Sequence, residues 1–184
     1  MVLIIIIISL WFYLKYFTKN FEEVKESAVI EKIDKYQNST STYIGDIDYI
    51  STDTKGNKYQ ITAKQAEIKI ENSDVMFLRD VVAFIFIKDS DKVKITSNFG
   101  KYNAKNYDTV FSKNVIAVYP GHKIIGEYLD FSFLNNLGIF TTNVIYTGNK
   151  TSLFADKIEM DLTTKDAKVF MNDSNKKVIV NGNK

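Results

Sequence analysis

Ile61 to Ile70 reads ITAKQAEIKI, and three later stretches align with it without gaps: ITSNFGKYNA from Ile95, IIGEYLDFSF from Ile124 and LFADKIEMDL from Leu153. The starts are 34, 29 and 29 residues apart, the first spacing lengthened by a hairpin insertion around Lys88 to Lys92. A period in this range is the signature of one supersecondary unit stacked on copies of itself. Two residues into each unit stands a small side chain, Ala63, Ser97, Gly126 or Ala155. Five in come Ala66, Gly100, Leu129 and Ile158; seven in come Ile68, Tyr102, Phe131 and Met160; nine in come Ile70, Ala104, Phe133 and Leu162. Further along, phenylalanine recurs at Phe77, Phe111, Phe140 and Phe170, followed four residues later by Val81, Val115 and Val144, with Ser174 the exception.

Alternate residues of a strand share a face, so the apolar positions at the start of a unit and two residues on point one way, while those five, seven and nine residues on have switched parity. An extra residue must intervene, and a β-bulge three or four residues into each unit would return the apolar side chains to one face and bend the strand. The polar partners, Gln60, Thr62 and Lys64 and then Glu67, Lys69 and Glu71, alternate outward. Each unit therefore predicts a long bent strand and a returning one with a single apolar face, stacked into a curved sheet or opened jelly roll.

The rest of the chain after residue 42 agrees. YQITA, AFIFI, VKITS, NVIAVY, NVIY and KVIV are rich in β-branched and aromatic residues. Between them stand turn formers such as Lys55-Gly56-Asn57, Pro120-Gly121-His122 and Gly148-Asn149. No long helical pattern follows Lys35, which excludes βαβ crossovers and leaves antiparallel pairing.

Residues 1–17 differ in kind. Val2 to Phe17 reads VLIIIIISLWFYLKYF with Lys15 its sole charge. As a helix these 16 residues span roughly 24 Å, somewhat short of the roughly 30 Å hydrocarbon core. Trp11, Tyr13 and Tyr16 suit the interfacial aromatic belt, and Lys15 can snorkel. The expectation is a transmembrane anchor instead of a cleaved signal peptide, since no basic leader precedes the apolar run and no A-x-A-like site follows it. Residues 18–42 form a helical or semi-ordered stalk ending in the polar run Gln37 to Thr42, and residues 43–184 form the β domain.

Composition removes several functions. Net charge is +2, without the basic footprint that nucleic acid requires. There is no cysteine, and the one histidine, His122, sits in a turn, so neither a thiolate nucleophile nor a histidine-rich metal site is available. Asp46 with Asp48 and Asp89 with Asp91 read as solvated or turn residues, and no nucleophile–base pair is evident. The chain is expected to be no enzyme and to need no cofactor. The apolar stripe has two readings. It is the ordinary core of a membrane-tethered β-repeat scaffold or assembly module, or it is a groove for an amphipathic lipid, which the membrane tether favours.

Gly56-Asn57-Lys58-Tyr59-Gln60-Ile61-Thr62-Ala63, the units ending Asn114-Val115 and Asn143-Val144, and the order of anchor, stalk and domain resemble the LptC family over nearly the whole chain. That family is the bitopic inner-membrane component of the lipopolysaccharide export bridge of Gram-negative bacteria. The resemblance implies an all-β, antiparallel jellyroll in the periplasm, behind one N-terminal transmembrane helix in the inner membrane. It implies that the domain accepts lipopolysaccharide from an ABC transporter and passes it to the bridge protein LptA. Acyl chains would then lie against Ile61, Ala63, Ile68, Phe77, Ala83, Ile95, Tyr102, Phe111, Ile124, Phe131 and Phe140. The C-terminal strands around Val169, Phe170 and Met171 and around Val178, Ile179 and Val180 would form the partner edge. The short anchor and the lack of basic residues before it depart from the family pattern. Lys15 and Lys19 by themselves favour the opposite orientation.

Overall fold

The computed structural model describes residues 40–182 apart from 54, 55, 89, 90 and 174. The expected anchor over 1–17 and most of the expected stalk lie outside the described residues. Among those described, no helix is long and apolar enough to cross a membrane.

Ten strands follow one another among the described residues: β1 (Ser41–Thr52), β2 (Lys58–Lys69), β3 (Asn72–Phe86), β4 (Val93–Asn103), β5 (Thr109–Tyr119), β6 (His122–Ser132), β7 (Leu137–Thr147), β8 (Thr151–Asp161), β9 (Ala167–Phe170) and β10 (Ile179–Gly182). They form a single antiparallel meander in the order β1 to β8, and the last edge is shared. Along the outer edge of β8, β10 pairs with Thr151 to Phe154 and β9 with Lys157 to Met160.

The register turns the sequence repeat into rows that cross the sheet. Tyr49, Ile61, Ala83, Ile95, Ala117, Ile124, Tyr146, Leu153 and Val180 stand opposite one another in succession. A second row runs Ile44, Ala66, Leu78, Gly100, Phe111, Leu129, Phe140, Ile158 and Val169. A third links Ile68, Met76, Tyr102, Thr109, Phe131, Gly138, Met160 and Ala167. Directly opposed side chains are the unit by which sheets are stabilised, so equivalent positions of the four units meet the same kind of neighbour.

Between the first and second rows β1 to β8 each bend. Burial parity changes in β2, β4, β6 and β8 between the positions two and five residues into each unit, as the spacing predicts. The bend is polar: Lys64, Asn98, Glu127 and Asp156 on these strands face left-handed residues on the odd ones, Asp46, Asp80, Lys113 with Asn114, and Thr142 with Asn143. Asp and Asn tolerate this backbone region best, which explains most of the row. The extra residue, however, is not in the strands that begin at Ile61, Ile95, Ile124 and Leu153. The register shifts by one residue at Lys113–Asn114 of β5 and at Thr142–Asn143 of β7, so the returning strands carry the bulge.

That location corrects the phenylalanine column. β5 and β7 have two left-handed residues at the bend, and Phe111 and Phe140 point inward, four residues before Val115 and Val144. β3 has one, Asp80, and its inward residue is Leu78, three before Val81. Phe77 is therefore turned to the opposite face, 38% exposed, with the Lys69 ammonium 5.6 Å from its ring centre. A one-residue offset in a strand reverses the face of a side chain. Phe170 is likewise displaced by Val169 and lies under the Lys157 ammonium at 4.2 Å. Ile70, aligned with Phe133 and Leu162, is exposed past the end of β2.

Candidate functional site

Two arms extend from the bend, each with an apolar inner face, and they close on each other at the β1–β4 end. Tyr59, next to Ile85 on β3, reaches across to the other arm. Its ring lies 5.6 Å from those of Phe131 and Phe133, and its hydroxyl donates to Thr109 Oγ1 at 3.1 Å. Beside it Tyr49 and Tyr102 meet with ring centres 5.1 Å apart. Tyr59, Tyr102, Thr109, Phe131 and Phe133 are all buried. Burial drives the hydroxyls of Tyr59 and Tyr102 well above the ordinary tyrosine pKa, the bond to Thr109 opposing the rise in Tyr59. At Gly100 of the second row the arm is so tightly filled that a Cβ would come within 3.3 Å of Val81 and 3.5 Å of Leu78.

Towards β9 the arms separate around a cavity of about 430 Å³, a size typical of small-ligand sites. One wall is Ile85, Ile87, Val93, Ile95, Ala117, Ile124 and Leu153; the other is Leu129, Phe131, Gly138, Phe140, Ile158, Met160, Leu162, Ala167 and Val169. Polar groups stand at the strand ends: Asp91, Tyr119, His122 and Tyr146 at the tip of one arm, Asp161 and Lys165 at the other. His122 is stacked between Tyr119 and Tyr146, at 6.0 and 5.8 Å, with its Nδ1 2.6 Å from the Tyr146 hydroxyl. Gly148 leaves the space for that hydroxyl, since a Cβ there would lie 2.7 Å from it. Asp161 is occupied locally, accepting from the amides of Thr163 and Thr164. The arrangement is an apolar trough with a polar rim, suited to an amphiphile and without polar groups converging inside for chemistry. Among the described residues no cluster of three or more potential ligands could hold a metal.

The sequence-derived lining residues divide three ways. Ile95, Ile124, Phe131 and Phe140 line the cavity. Ile61, Ala63, Ala83, Tyr102 and Phe111 belong to the packed core outside it, and Ile68 is half-buried. Phe77 faces away. Outside that set, the walls also include Ile85, Ile87, Val93, Ala117, Leu129, Gly138, Tyr146, Leu153, Ile158, Met160, Leu162 and Ala167. Leu129, Leu153, Ile158 and Met160 occupy repeat columns already recognised, so that signal was present. Of the C-terminal residues, Val169 and Phe170 are in β9 and Ile179 and Val180 in β10, while Met171 and Val178 lie just outside the strands. Ile179 and Val180 are each about 60% exposed on the sheet's last edge.

A family model described as lipopolysaccharide-assembly, LptC-related, matches residues 1–183. Among solved structures, the chain resembles LptH of Pseudomonas aeruginosa, the LptA-homologous periplasmic component of the lipopolysaccharide transport device. The TM-score is 0.52 at 15% identity, covering 66% of this chain and 92% of that one. At that identity the likeness concerns the fold. No curated relative matches the chain.

Proposed function

The chain belongs to the LptC-related lipopolysaccharide-assembly family, and from that premise we propose that it carries lipopolysaccharide from the inner to the outer membrane by sheltering acyl chains between the two arms of its sheet. The observation that carries the reading is the 430 Å³ apolar cavity with its polar rim. A scaffold needs only a closed core, and the β1–β4 end has one; the separation of the arms around Ile124, Phe140 and Ile158 has no purpose in that reading.

On this proposal residues 1–17 are a single-pass anchor in the inner membrane and the β domain stands in the periplasm. The protein receives lipid from the ABC transporter and passes it to an LptA-like bridge protein. Among the described residues the sheet ends at β1 on one side and at the shared β9–β10 edge on the other, and the β9–β10 edge suits strand addition by a neighbour, which extends both the hydrogen-bond ladder and the apolar rows. Val180 continues the row of Leu153, and Val169 that of Ile158, so a partner strand there would prolong the trough. Each buried methylene is worth about 0.8 kcal/mol. Transfer between similar troughs is therefore nearly isoenergetic, and net direction requires energy from the transporter.

The test is photocrosslinking in a Gram-negative host from a reactive residue at Ile124 or Phe140. Lipopolysaccharide adducts are expected there and not from Phe77 or Lys69 on the outer face. Adducts from the outer positions alone would reject the trough.

A further inference from the structure

We propose that Tyr59, braced by Phe133, is the end wall of the cavity and limits the length of acyl chain that the protein accepts. The inference rests on the lipid-carrying reading of the same cavity. Tyr59, Ile85 and Val93 form one cross-strand row. Ile85 and Val93 line the cavity and Tyr59 does not. At that strand the side chain stops lining an arm and spans to the other, stacked on Phe133 and fixed by its hydrogen bond to Thr109. Behind it lies the Tyr49–Tyr102 contact, a second layer of the same wall. The opposite end of the cavity reaches Val169 on the edge strand β9.

A chain lying across the strands thus has a track of fixed length. From β3 to β9, which pairs with β8, there are six strand spacings of about 4.8 Å, roughly 29 Å in all. Within that track each added methylene removes apolar surface from water; past Tyr59 it meets filled space. Affinity for a series of single-chain amphiphiles should rise about fourfold per methylene, the equivalent of about 0.8 kcal/mol, and then level off at a limiting length. A trough open along its whole axis would show no such limit.

The experiment uses the full-length protein held in amphipol. Saturated fatty acids of increasing length displace anilinonaphthalene sulfonate, from wild type, Tyr59→Leu, Phe133→Leu and Ile124→Trp. The expected result is a limiting length in the wild type, a longer limit in Tyr59→Leu and Phe133→Leu, and weaker binding at every length in Ile124→Trp, which fills the cavity. Should Tyr59→Leu fail to fold, Phe133→Leu keeps the Tyr59 hydrogen bond and tests the same wall. Wild-type binding with the same limit in both leucine variants overturns the wall and leaves the carrier reading intact. Wild-type protein that binds no chain of any length, with Ile124→Trp indistinguishable, rejects the carrier reading itself.

Discussion

Phe77 and Phe111 occupy the same column of the repeat, yet their replacement by alanine should have very unequal consequences. Phe111 is fully buried in the second row, between Gly100 and Leu129. A phenylalanine side chain removes about 150–250 Å² from water, and at about 25 cal/mol per Å² that is roughly 4–6 kcal/mol. Alanine retains a little of this and the cavity adds a penalty, so a loss of about 3–5 kcal/mol is expected. Phe77 is 38% exposed on the other face, under Lys69. Its truncation removes partial burial and a solvent-side cation–π contact worth about 0.5–1 kcal/mol, so the loss should be near 1 kcal/mol. Urea unfolding followed by far-ultraviolet circular dichroism separates the two. With a slope of about 2 kcal/mol/M, Phe111→Ala lowers the midpoint by about 2 M and Phe77→Ala by about 0.5 M. Equal losses would refute the offset that the single left-handed residue at Asp80 imposes on β3.

Two further perturbations test the clasp and the bend. Burial holds the protons on Tyr59 and Tyr102 well above the ordinary tyrosine pKa of about 10. The unfolded chain gives them up from that pH onward, so the folded state binds more protons there. Stability is full below about pH 10 and should then fall by about 1.4 kcal/mol per pH unit for each tyrosine. Thermal unfolding against pH should show this slope roughly halved in Tyr59→Phe; an unchanged slope would mean that Tyr59 ionises freely. At the bend, Thr142 holds a φ of 68°, a strained choice for a β-branched residue. Thr142→Gly should raise stability by about 1 kcal/mol, the strain relieved exceeding the entropy that glycine adds to the unfolded chain; a drop in melting temperature would contradict it.

Much of the sheet was legible because it repeats. Ile61, Ile95, Ile124 and Leu153 fall in one cross-strand row, and the columns five and seven residues on fall in two others. Hydrophobic parity is a local property that four copies make audible. The bulge was harder to assign. A parity change can be absorbed by a strand or by the one it faces, and the residues that take it, Lys113, Asn114, Thr142 and Asn143, look like ordinary surface residues. Phe77 is displaced for the same reason: its spacing to Val81 equals that of Phe111 to Val115, but the bend of β3 takes one left-handed residue where that of β5 takes two.

The cavity lay further out of reach. Ile61 and Ile124 stand in the same row with equivalent neighbours, and one is sealed in packed core while the other faces open space. What separates them is whether a side chain bridges the two arms beside them, as Tyr59 does next to Ile61 and none does at Ile124. By itself the sequence determined the strand pattern, the change of face within each unit and the single apolar face, since each follows from spacing along the chain. Only the tertiary structure decided where the two arms touch and where they part, because that distance depends on side-chain volumes brought together from strands as far apart as Tyr59 and Phe133.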